Sequence, residues 1–138
     1  MTPCFVQLTV QFNSTQDMLT YTDMVVSYND GTEEKQETIT TENWSKTVEV
    51  KLPCALKFTR AVTLKAGAEL TADDVFRFKK GYSYSYKFLN ASGEAIKKGQ
   101  AYSCESSASI KGDKVAEFIS GKMLDSEISL TLDQNGER

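Results

Sequence analysis

The sequence predicts an all-β protein: an antiparallel β-sandwich, immunoglobulin-like in architecture, forming one domain over residues 1–138 with at most one short helix. Three observations predict it. Apolar residues alternate with polar ones in run after run, the pattern of strands buried on one face. Turn signals recur about every ten residues, and no alternation of strands with amphipathic helices points to a parallel sheet. A chain of 138 residues is also long enough to bury a core without covalent staples.

The elements follow in order. In FVQLTVQF, Val6, Leu8, Val10 and Phe12 share one face, and Gln7, Thr9 and Gln11 share the other. Residues 18–28, MLTYTDMVVSY, continue in strand-favouring types into Asn29-Asp30-Gly31, a strong hairpin signal. The return, TEEKQETIT, is almost wholly polar, which predicts an edge strand whose charges discourage further pairing. After Trp44, KTVEVKL places Val48, Val50 and Leu52 on one face. Pro53 interrupts, and ALKFTRAVTL alternates again through Leu56, Phe58, Val62 and Leu64.

The stretch AGAELTADD reads as a loop with one turn begun at Thr71 and helped by Asp74. VFRFKK and YSYSYKFL are strands on either side of Gly81, with turns at Asn90–Gly93 and, more weakly, at Lys111-Gly112-Asp113. DKVAEFISGK carries Val115, Phe118 and Ile119 at helical spacing, so the short helix is expected near 113–120, capped by Asp113 and closed by Gly121. EISLTL ends the pattern with Ile128, Leu130 and Leu132 on one face.

Composition removes several kinds of function. There is no histidine, which excludes Ser-His-Asp and Cys-His catalysis and the zinc sites that need imidazole. The net charge is -3, and the longest basic runs are the pairs Lys79-Lys80 and Lys97-Lys98, so no nucleic-acid partner is expected. No stretch approaches the roughly 18 apolar residues of a membrane span. The start, MTPCFVQLTVQF, lacks the basic-then-apolar pattern of a signal peptide, and its TPC does not resemble a lipoprotein cleavage site around Cys4.

Acidic chemistry fares no better. Adjacent carboxylates on a strand point to opposite faces, so neither Glu33-Glu34 nor Asp73-Asp74 forms a catalytic pair alone. Asn29-Asp30-Gly31-Thr32-Glu33 meets only part of a calcium-loop pattern, and turn chemistry explains it better. No catalytic residue, metal site or cofactor is predicted, and the chain is not expected to be an enzyme. Three N-x-[ST] stretches, at Asn13, Asn43 and Asn90, bear only on localisation.

The three cysteines, Cys4, Cys54 and Cys104, fall by parity on apolar faces. Either all three are buried thiols acting as small hydrophobes, or two form an intersheet disulfide and leave one over.

One row of rings is the candidate site. In GYSYSYKFLN, Tyr82, Tyr84, Tyr86 and Phe88 occupy alternate positions, with Ser83, Ser85 and Lys87 between them. Exposing the rings would turn a lysine and two hydroxyls inward at a cost of several kcal/mol, so parity favours the rings as a wall of the core. If they are exposed, Tyr82, Tyr84 and Tyr86, with Trp44, Tyr28 and Tyr102 as companions, form a ligand-binding platform for a polysaccharide or another protein.

The stretch GYSYSYKFLNASGEAIKK, residues 81–98, together with Ser- and Thr-rich strands and a charged edge hairpin, resembles small exported β-sandwich proteins of Bacteroides-like bacteria. That grouping includes fimbrillin-like and immunoglobulin-like surface proteins. The resemblance implies a periplasmic, cell-surface or secreted location and a structural or binding role, and it carries over no catalytic or binding residue.

Overall fold

The structure, a computed structural model, describes residues 2–138. The alternation of FVQLTVQFN produces β1 (Phe5–Asn13), with Val6, Leu8, Val10 and Phe12 wholly buried. It pairs antiparallel with β4 (Asn43–Lys51) on one side and β7 (Ser83–Leu89) on the other. β8 (Ala95–Ser103) closes that sheet, in the order β4-β1-β7-β8. The second sheet contains β2 (Thr22–Asn29), β3 (Glu34–Thr38), β5 (Cys54–Leu64) and β10 (Ser126–Leu132), in the order β10-β5-β2-β3. The inner faces of both sheets meet in an apolar core, the sandwich arrangement expected of half-buried antiparallel strands.

The charged return strand is β3, and it lies at a sheet edge as its charges predict. The turn before it is built by Asp30, whose carboxylate accepts from the Thr32 and Glu33 backbone N–H groups at 3.0 and 3.1 Å. Gly31 at φ +92° supplies the left-handed step. Turn chemistry therefore accounts for Asn29–Glu33. A Leu52–Pro53 cis peptide carries the chain from β4 in one sheet to β5 in the other.

Two short helices accompany the strands. The expected one is α2 (Val115–Ser120), preceded by a 3-10 turn over Gly112–Lys114. Asp113 does not cap it, because it lies within that turn and no side chain caps either helix start there. The other is α1 (Gln16–Tyr21), so residues 18–21 are helical where an extended strand was expected. Its reason is local: the Thr15 hydroxyl caps the Met18 N–H at 3.1 Å, and Met18 is driven into the core. Around Thr71, the Asp74 carboxylate accepts from the Thr71 N–H at 2.8 Å, giving a capped turn without a helix.

The remaining two strands, β6 (Val75–Lys80) and β9 (Ser106–Lys111), pair as a two-stranded ribbon. Its register is continuous with that of β7 and β8. Lys80 faces Ser106, Ser83 faces Ser103, and the Cys104 N–H donates to the Tyr82 carbonyl between them at 3.0 Å. Residues 75–111 are thus one long hairpin bent at Gly81, where φ is +91° and any Cβ would strike the Cys104 carbonyl. One half of the hairpin joins the first sheet; the other lies over α1.

Candidate functional site

The tyrosine row divides along β7. Tyr84, Tyr86 and Phe88 stand opposite Val10, Leu8 and Val6 of β1, on the inner face, while Ser83, Ser85 and Lys87 stand opposite Gln11, Thr9 and Gln7. Tyr86, 7 % exposed, and Phe88 are core residues, in edge-on contact with ring centroids 5.6 Å apart. Tyr82 and Tyr84 are half-buried at the open end. There, Tyr82 and Tyr84 lie 6.1 Å apart with 16° between their planes, and Tyr102 of β8 packs on both at 5.9 and 5.8 Å. Tyr102 itself is 49 % exposed. The row is therefore both things in sequence, a core wall at Tyr86 and a half-open aromatic cluster at Tyr82, Tyr84 and Tyr102.

Trp44 is not brought to this cluster. It is buried on β4 against Phe12 at 5.8 Å and Tyr28 at 6.4 Å, and Tyr28 stacks on Phe58 at 4.9 Å. These rings fill the opposite side of the sandwich, where β3 and β4 are the neighbouring edges. The Tyr28 hydroxyl donates to Glu37 at 2.5 Å, and Glu37 pairs with Lys46 at 2.7 Å, so one carboxylate of β3 ties down the edge of the other sheet. The Lys46 ammonium, then the Tyr28 hydroxyl, hold the Glu37 carboxyl below its ordinary value.

The cysteines are all unpaired thiols. Cys4 and Cys54 are half-buried, and burial pushes the Cys54 thiol above its ordinary pKa. Cys104 is exposed, which corrects the parity reading of three buried thiols. Parity puts it on the side of Ala108 and Ile110, but it sits at the hairpin bend, where no second layer covers that side. It is the neighbour of Tyr82, whose hydroxyl is held above its ordinary value by burial first and by Cys104 second.

The acidic pairs do not converge on one another: Glu33 and Glu34 border open clefts beside the β2–β3 turn, and Asp73 and Asp74 lie in a separate turn. Glu33, Glu34 and Asp73 are exposed, and Asp74 is spent on its turn. Among the described residues no group of three or more His, Cys, Asp or Glu side chains converges to hold a metal ion.

A buried charge went unread in the sequence. Arg60 on β5 has no solvent exposure. Its guanidinium donates to the carbonyls of Asn13 at 2.9 Å and of Lys79 and Leu124 at 3.3 Å, and to the Ser14 hydroxyl at 3.4 Å. It also lies 5.5 Å over the Phe12 ring. Burial pushes its pKa down to about 10, opposed by the charges of Asp125 and Glu105, so it stays protonated at neutral pH. The signal was in the alternation itself: in LKFTRAV, Arg60 falls on the face of Leu56, Phe58 and Val62.

The outer strand of the long hairpin is the other open feature. From Ala95 to Lys111 its residues are exposed except for a few half-buried positions, and β8 is an edge of its sheet. The first part is blunted by two register shifts and by Lys97 and Lys98. Beyond them, GQAYSCESSASI contains a single charge, Glu105.

Comparison with known protein families, characterised proteins and solved structures finds no match to this chain.

Proposed function

We propose that the chain is a non-enzymatic structural or protein-interaction domain of the bacterial cell envelope, immunoglobulin-like in architecture and located in the periplasm, at the surface or outside the cell. The observation that carries the reading is the exposed, lightly charged outer strand from Gly99 to Ile110. Native sheets protect such edges with charge, proline or a covering element, and an edge left open is a surface on which another chain adds a strand. The resemblance of residues 81–98 to exported sandwich proteins supports the location. The test is a photo-crosslinker at Ser103 in intact source cells, followed by fractionation. The reading expects adducts in the envelope fraction, and a cytosolic protein without adducts would remove it.

A second reading rests on Tyr82 and Tyr84, whose rings are near-parallel, and on Tyr102 tilted against both, a half-open cluster that suits stacking on sugar faces. In this reading the chain is a small carbohydrate-binding module, with Tyr86 and Trp44 in the core and outside the contact. Trp44 fluorescence is a poor reporter of that site, because the indole sits with Phe12 and Tyr28. A glycan array repeated with Tyr102→Ala decides it: binding that disappears in the variant supports the module, and no binding to any glycan excludes it.

A further inference from the structure

The free edge of β9 has a defined hydrogen-bonding phase. On β6, the Arg77 N–H donates to the Asp17 carboxylate at 2.8 Å, and the Arg77 carbonyl accepts from the Thr15 hydroxyl at 2.6 Å. The Lys79 carbonyl accepts from Arg60 at 3.3 Å. Arg77 and Lys79 thus turn their backbone groups away from β9. In an antiparallel pair, hydrogen-bonded and non-hydrogen-bonded positions alternate, so Ser109 and Ser107, which face Arg77 and Lys79, turn theirs away from β6. The even positions are the inward ones, as the Gly112 N–H to Asp74 carbonyl and Cys104 N–H to Tyr82 carbonyl bonds confirm at 2.8 and 3.0 Å. Glu105, Ser107 and Ser109 therefore present unpaired backbone groups at the open edge, and Lys111 presents its N–H, its carbonyl being taken up by the 3-10 turn that it starts. Among the described residues no turn, loop or cap bond between backbones meets Glu105, Ser107 or Ser109 there.

We propose that this edge pairs with the same edge of a second copy of the chain, antiparallel, about a two-fold axis through Ala108. Matching outward groups restricts the register to shifts of two residues. Among these, centring on Ala108 sets Ser107 opposite Ser109 and Glu105 opposite Lys111 of the second copy, twice over by symmetry. Centring on Ser107 or Ser109 leaves both charges opposite serines or beyond the strand. Glu105 and Lys111 share the outer face with the serines, so the opposed pair lies within cross-strand contact distance. Lys111 is exposed and makes no ion pair among the described residues, and Glu105 has one carboxylate oxygen in a 2.6 Å bond from Asn13 and the other unused. The small side chains at 106–109 let the two strands approach without obstruction. The contact is narrow, so the dimer is weak and concentration-dependent.

The inference rests on the protein-interaction reading and names its partner. Sedimentation velocity of the full chain over a wide concentration range tests it. Wild type shifts from monomer towards dimer as concentration rises. Lys111→Glu and Glu105→Lys each set like charges together twice and weaken dimerisation by about tenfold or more. An equimolar mixture of the two variants recovers it as a heterodimer, because each variant then meets the opposite sign. Ser109→Pro deletes an N–H that no β6 bond uses, and it abolishes the dimer while circular dichroism stays that of wild type. A chain that stays monomeric throughout overturns the proposal, and so does a dimer indifferent to Lys111→Glu. Crosslinks to other proteins at Ser103 would survive either result, so the two readings fail separately.

Discussion

The Arg60 guanidinium donates to the Asn13 carbonyl at 2.9 Å from a position without solvent exposure. Asn13 ends β1, and the other carbonyl partners lie on β6 and just before β10, so one side chain gathers three segments distant in sequence. The charge has no carboxylate in contact, and its desolvation is offset by hydrogen bonds, the Phe12 ring and the more distant charges of Asp125 and Glu105.

Arg60→Met should therefore cost about 2–4 kcal/mol in urea unfolding, because it keeps the volume but strands several buried carbonyls. A loss under about 1 kcal/mol would mean that burying the charge cancels what its hydrogen bonds contribute.

Arg60 also marks where the sequence was legible and where it was not. Alternation named the inward faces of β1, β4, β5 and β10 correctly, since a period of two has only two answers and the apolar set chooses one. The same rule, applied to Arg60, gives an inward arginine, and chemical expectation about charge hid it. Residues 18–21 depart from the expected strand for a related reason: Thr20 and Tyr21 favour strands, but Thr15 at the cap position and Met18 beneath it decide for a helical turn. Cys104 and Tyr102 share an inward parity that means burial only where a second layer exists. The layer stops near Tyr84, and no local pattern encodes where it stops. The continuous register from β6–β9 into β7–β8 is likewise a property of pairing, visible only once both strands are placed.

Tyr86 lies directly over Gly99 of the neighbouring strand, where an added Cβ would run into its ring. The glycine is thus kept for the ring and not for a left-handed backbone. Gly99→Ala should cost about 1–3 kcal/mol by pushing the ring off its seat. In a Tyr86→Ala background the ring's share of that cost should vanish and only the 2.9 Å approach to the residue-86 carbonyl remain, a coupling that a double-mutant cycle reads directly. Equal costs in both backgrounds would place the strain elsewhere.

The Tyr28–Glu37–Lys46 cluster predicts a stability plateau with two shoulders. Glu37 is depressed from 4.5, by Lys46 first and Tyr28 second. A depressed carboxylate contributes fully above its unfolded value, and the contribution is lost as pH falls through the folded one. Tyr28 is raised from 10.0, by burial first and the Glu37 hydrogen bond second. A raised group contributes below its unfolded value, and that is lost as pH rises through the folded one. The stability difference between wild type and Tyr28→Phe should hence be largest between pH 4.5 and 10.0 and shrink at both ends. Glu37 is about one-third exposed, so the plateau is small, under about 1 kcal/mol. A difference independent of pH would separate Tyr28 from the ion pair.

The three thiols should be told apart by their reactivity. Cys104 is exposed at the hairpin bend, Cys4 is half-buried with its Sγ turned to the Thr2 carbonyl, and Cys54 is half-buried with a raised pKa. The thiolate is the reacting form, so burial that disfavours it slows alkylation twice, through access and through ionisation. Iodoacetamide at neutral pH should label Cys104 first and Cys54 last, with Cys54 slower than Cys104 by about tenfold or more, read by peptide mass mapping. Raising the pH should speed Cys54 steadily as its thiolate fraction grows. Labelling of Cys54 as fast as Cys104 would mean that the end of β5 opens readily, and a thiol that resists alkylation until reduced would mean that it is paired.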